Sequence, residues 1–234
     1  AARIMLNNSK KVEFELSENN EVVSSYNDIN AQLFIELLQS RKIVMDIIQD
    51  RTIDLRKRAV VALLFVDEIQ EKIDESEIKE IKSVREKYLD KGFLEELINE
   101  LEEYRDNEGS KYDDMHEYFK VFKDLKHITP DDPLGLNDAL RYFWQTDEDE
   151  ELYIIKHRQF EEYYKDKLYK FENILVYFVF RYFMKAVFDY DILAKIKTAL
   201  VSYMIIRELA VVRYIENNEF TDEDMVDIAH TYSK

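Results

Sequence analysis

Four polar residues sit in the most apolar stretch of the chain at spacings that could do chemistry. In Phe171-Glu172-Asn173-Ile174-Leu175-Val176-Tyr177-Phe178-Val179-Phe180-Arg181, the residues Asn173, Tyr177 and Arg181 recur every four positions. A helix stacks such residues along one side, with Glu172 beside them. An amide, a phenol and a guanidinium in one column, next to a carboxylate, have two uses. One is a buried network, with Glu172 against a basic partner and Asn173 capping a neighbouring chain end, because buried polar groups must be hydrogen-bonded. The other is the polar edge of a binding cleft. The spacing alone leaves both open.

Other candidates are weaker. Asp113–His116 and Asp227–His230 each place an acid and an imidazole on one helix face. Di-iron helix bundles, however, use two Glu-x-x-His pairs completed by two further glutamates. Here the acids are aspartates and nothing fixes the remaining ligands, so no metal site is expected. His127 and His157 have no evident partners in the sequence and are expected at the surface or a boundary. Trp144, beside Tyr142 and Phe143, reads as a packing anchor. The tyrosines and phenylalanines between Tyr153 and Tyr190 could frame an ammonium ion through cation–π contacts, although their period fits core packing equally well. With 50 acidic residues, carboxylate spacing carries no information, and catalytic residues stay unassigned.

The elements that must position these residues follow from composition. The 234 residues include no cysteine, three glycines and two prolines. Sheets with tight hairpins need many turn residues and helices need few. The expected fold is therefore all-α, a bundle of about eight to ten amphipathic helices with at most one short N-terminal strand or hairpin. Absence of cysteine removes thiolate nucleophiles, disulfides and cysteine-ligated clusters. The scarce, isolated glycines give no loop in which backbone could cradle a dinucleotide or phosphate. A net charge of −17 argues against nucleic acid, which requires a basic footprint, and could attract a lysine-rich protein. The apolar runs Ala59–Val66 and Ile174–Phe180 fall short of the ~20 residues a membrane span needs. The first residues, Ala1-Ala2-Arg3-Ile4-Met5, lack the form of a signal peptide and an initiator methionine, so the chain is expected to be a cytoplasmic fragment of something longer.

Along the chain, Val12-Glu13-Phe14-Glu15-Leu16 alternates like a half-buried strand. Helical periods begin near Asp28. A second helix is expected from an Asp54 N-cap to about Ile73, a charged one over Ser76–Asp90, and another through Leu101 that ends in a turn at Asn107-Glu108-Gly109-Ser110. A short aromatic helix over Asp113–Leu125 precedes Thr129-Pro130-Asp131-Asp132-Pro133-Leu134-Gly135, the sharpest break. The whole is expected to be a single helical domain, residues 1–234, with a possible lobe boundary near 129–135. Further helices are expected over Leu136–Gln145, from the acidic run Asp147–Glu151, and over Ile192–Ile215. Thr221-Asp222-Glu223-Asp224 has the form of a capping box that opens a last helix to about Tyr232.

Several of these segments together resemble one family. Ala1-Ala2-Arg3-Ile4-Met5-Leu6, Val12–Leu16, Leu33–Asp50 and Asp54-Leu55-Arg56-Lys57-Arg58 are similar to the flagellin lysine-N-methylase family. So are Glu172–Phe180, against its Glu-Asn-x-Leu-Val-x-Tyr-x-Phe signature, and Phe220–Val226 through Tyr232-Ser233-Lys234. The resemblance implies a C-terminal helical region of an enzyme that methylates flagellin lysines, with S-adenosylmethionine as donor. It also implies an N-terminal cysteine-rich module, a metal or iron–sulfur cluster unit, that is absent from this sequence. No cofactor is then expected in this region. The region would supply scaffold and substrate docking, with Glu172, Asn173, Tyr177 and Arg181 at a cleft edge facing that module. The competing expectation is a non-catalytic helical protein-interaction module.

Overall fold

The computed structural model describes residues 5–14, 29–103, 108–124, 135–145 and 149–233. Helices run over Ala31–Ile48 (α1), Leu55–Asp74 (α2), Ile81–Leu89 (α3), Lys91–Glu103 (α4), Glu108–Asp124 (α5), Leu136–Phe143 (α6), Asp149–Tyr164 (α7), Tyr169–Tyr182 (α8), Ala186–Asp189 (α9), Ile192–Asn217 (α10) and Asp222–Tyr232 (α11). The fold is all-α, and no strand occurs among the described residues. The chain sorts into two compact units, one of residues 8–104 and 175–200, the other of residues 1–7, 105–174 and 201–234. Of the break expected near 129–135, only Gly135 lies among the described residues; it takes a left-handed φ of 74° before α6, where a Cβ would be strained.

In the unit built on 8–104 and 175–200, α1, α2 and α3 pack on one another. Leu33, Leu37, Val44, Ala62, Phe65, Val66 and Ile69 are wholly buried. The apolar centre of α2 is the reason: with apolar residues on every side, it is stable only when covered by neighbours. Asp54 is the N-cap of α2 and accepts from the Arg56 N–H at 2.8 Å. Arg58 donates to the Ile48 carbonyl that closes α1, which satisfies one of the carbonyls a helix end leaves unpaired. Glu36 on α1 and Arg85 on α3 form a buried ion pair.

Three local expectations are corrected. Val12, expected in a strand, pairs with a side chain instead: Gln49 accepts from its N–H and donates to its carbonyl. One glutamine amide thus supplies both hydrogen bonds a neighbouring strand would give. Phe14 stacks on Phe180 with ring centroids 3.8 Å apart. Glu15 and Leu16 lie outside the described residues. Ser76–Asp90 is not one helix: Ser76 takes a positive φ of 61°, a single 3₁₀ turn covers Ile78–Glu80, and α3 follows. The turn expected at 107–110 is helical from Glu108 onward, because Gly and Ser in the first turn of a helix lower its propensity without breaking it; Asn107 lies outside the described residues.

In the other unit, α5, α6 and α7 contact one another. Phe119, Phe143, Tyr153, Phe160 and Tyr164 are buried there. Thr221 and Asp224 form the expected capping box at the start of α11. Lys170, 1 % exposed, donates to Asn7 Oδ1 at 2.7 Å and pairs with Asp222 Oδ1 at 2.8 Å. A buried ammonium is tolerated only with such partners, and this one ties the N-terminal segment to the first turn of α11.

Candidate functional site

The segment Ile205-Ile206-Arg207-Glu208-Leu209-Ala210-Val211-Val212 puts a charged pair in the middle of an apolar helix, α10. Glu208 is 2 % exposed. Tyr153 and His157 stand one turn apart on α7 and face it. The Tyr153 hydroxyl donates to Glu208 Oε1 at 3.0 Å, and His157 Nε2 lies 2.7 Å from Oε2. His157 Nδ1 is 2.8 Å from the Tyr153 carbonyl. A carbonyl only accepts, so Nδ1 is the donor in that contact. The ammonium of Lys111 on α5 lies 3.9 Å from Glu208 Oε1 and 5.4 Å from the centre of the Tyr153 ring. Beside Glu208, Arg207 pairs with Glu161.

Aromatic rings surround this cluster. Tyr112 meets Tyr153 edge-on at 5.4 Å, Trp144 lies 5.8 Å from Tyr153, and Phe143 lies 5.7 Å from His157. Two hydrogen bonds hold the rings in place: Tyr112 Oη donates to the Phe143 carbonyl at 2.7 Å and Trp144 Nε1 to the Tyr112 carbonyl at 3.2 Å. Burial pushes the Glu208 carboxyl up, but His157, Lys111 and Arg207 together outweigh it and hold it at about 2. It is a permanent anion with aromatic walls. Such a group recognises a cation; it is too weak a base to take a proton from one.

His157 is therefore a correction, neither surface nor boundary but 5 % exposed and paired. A signal for it did exist. Tyr153 and His157 share a helix face, and Arg207-Glu208 is a charged pair inside an apolar run. Nothing in the sequence, however, joins residues 51 and 55 positions apart. Of the residues expected at a cleft edge, Glu172 and Asn173 are buried in the core. Asn173 donates to the Met5 carbonyl at 2.9 Å, the chain-end contact that the network reading describes. Arg181 is exposed and donates to the Tyr177 hydroxyl at 2.7 Å. Asn173 belongs to one compact unit, and Tyr177 and Arg181 to the other.

His116 stacks flat on Trp144, centroids 5.3 Å apart and planes within 4°, and burial together with Lys120 lowers its proton affinity. Asp227 faces Arg213 at 3.7 Å. Among the described residues, no three metal-competent side chains gather. His127 lies outside the described residues. Trp144 packs against Tyr112, Phe119 and Tyr153, as an anchor would.

A family model described as FliB lysine N-methylase C-terminal domain matches residues 41–234. No curated protein and no solved structure matches significantly.

Proposed function

Because the chain belongs to the FliB lysine N-methylase C-terminal domain family, and so is part of a lysine N-methylase, we propose that it supplies the helical body of that enzyme and a docking surface for its substrate. On our reading the substrate is flagellin. The observation that carries this is the match over residues 41–234. The net charge of −17 supports it, because an acidic surface draws lysine-bearing partners and speeds encounter. Among the described residues, no helix is long and apolar enough to cross a membrane. A chain without cysteine suits the reducing cytoplasm of a bacterium, where we place it.

The family resemblance implies S-adenosylmethionine and an iron–sulfur or other metal cluster for the full-length enzyme. We read this region as holding neither. The chain has no cysteine thiolate to offer a cluster. Its glycines sit within helices, Gly92 and Gly109, or at the start of one, Gly135, and none forms the strand-to-helix loop of a Rossmann-type donor site. Methyl transfer also needs a neutral amine, and Glu208 favours the charged one. We assign donor binding and amine deprotonation to the cysteine-rich module upstream, with exposed Arg181 and its partner Tyr177 as candidates for residues that meet it.

A methylation assay on purified flagellin, read by mass spectrometry, tests this. The chain alone should be inactive and a longer chain with the upstream module should methylate lysines. Methylation by this chain alone would overturn the division of labour. Flagellin binding without methylation by either would favour a docking module.

A further inference from the structure

We infer that the corner formed by Glu208 and the Tyr153 ring is a binding site for a lysine side-chain ammonium, and that Lys111 is its built-in occupant. This rests on the lysine N-methylase reading for its biological meaning, although the chemistry stands on geometry alone. Three observations support it. Glu208 is a buried carboxylate whose other contacts, the Tyr153 hydroxyl at 3.0 Å and His157 at 2.7 Å, fix both of its oxygens in place. The Lys111 ammonium lies 3.9 Å from Oε1 and 5.4 Å from the Tyr153 ring centre, charge and π-face together. The Lys111 side chain is one-quarter exposed while Glu208 is 2 % exposed, so the lysine stem itself marks a path from the surface to the carboxylate.

Carboxylate plus aromatic face is the chemistry that selects an alkylammonium over a neutral chain of equal length. At 3.9 Å Glu208 meets the ammonium by charge rather than by a direct hydrogen bond. A lysine from a protein substrate, entering by the same path, would meet the same groups. While Lys111 fills the site, an incoming lysine must displace it, which makes Lys111 a self-blocking residue.

The test removes the occupant and offers a probe. Lys111→Ala is titrated with n-butylammonium, with n-pentanol as the uncharged control, at constant ionic strength, and the melting temperature is read by circular dichroism. The variant should gain about 3–5 °C for each tenfold rise in amine above its Kd and nothing from the alcohol. Wild type should gain nothing over the same range. Lys111→Ala/Glu208→Gln, compared with its own amine-free baseline, should lose the response. Equal responses of wild type and Lys111→Ala, or a response that survives Glu208→Gln, would overturn the inference. If Lys111→Ala melts too low to titrate, n-butylammonium binding to Lys111→Ser is read at 10 °C by isothermal titration calorimetry; no saturable heat there counts against the site. Failure of the flagellin assay leaves this result untouched, and the reverse also holds.

Discussion

Burying the Glu208 carboxylate strips its water shell, which by itself raises its proton affinity. His157, Lys111 and Arg207 reverse that and leave it at about 2 against an ordinary 4.5. A carboxyl depressed in the folded state contributes stability above its unfolded value and loses it as pH falls through the folded one. Between about pH 5 and pH 2 the protein should lose roughly 3 kcal/mol on this account. Urea melts across that range should show the loss in wild type and a correspondingly flatter profile in Glu208→Gln. The pair itself is tested at neutral pH. Removing the imidazole in His157→Ala leaves a buried anion short of a partner and should cost about 3–5 kcal/mol. Glu208→Ala/His157→Ala should cost clearly less than the sum of the two single changes, because each single change alone strands the other group. Additive costs would show that the two do not interact.

The helices are held at their ends by side chains more than by loop sequence. Gln70 on α2 donates to the Tyr190 carbonyl at 3.0 Å and accepts from the Ile192 and Leu193 amides at 2.8 and 3.2 Å. It caps the start of α10 from a different helix and secures Tyr190, whose φ of 59° is left-handed and costs a Cβ-bearing residue about 1 kcal/mol. Gln70→Ala should destabilise by about 1–3 kcal/mol, and hydrogen exchange should show the loss first at the amides of Ile192 and Leu193. Thr221 does the same for α11 through its own sequence. Thr221→Ala removes the cap bond to the Asp224 amide, 3.2 Å long, and should cost about 1 kcal/mol. Thr221→Ser should recover most of it.

Over the whole molecule, charge is the property with reach. At −17 the long-range field should steer basic partners toward the surface, and salt should screen it over a Debye length of ~8 Å at physiological ionic strength. If flagellin lysines dock here, the association rate measured by surface plasmon resonance should fall about tenfold or more between 0.05 and 0.5 M NaCl, while the dissociation rate changes little. A salt-independent association rate would remove electrostatics from the docking account.

Fold class and helix positions could be read in the chain because they are local properties. Scarce glycine and proline, 3.6-residue apolar periods and the Thr221–Asp224 box act within a few residues of themselves, and the structure has those helices except where Ser76 and the start of α5 depart from the expected bounds. Val12 shows the limit: alternation marks an extended backbone, but its partner, the Gln49 amide, is 37 residues away. Glu208 shows it more sharply. One carboxylate among 50 acidic residues is indistinguishable until folding brings α5, α7 and α10 together and takes the water from around it. Local spacing settles which helices form; only tertiary packing sets which charges are desolvated, and desolvation is what turns a common glutamate into a site.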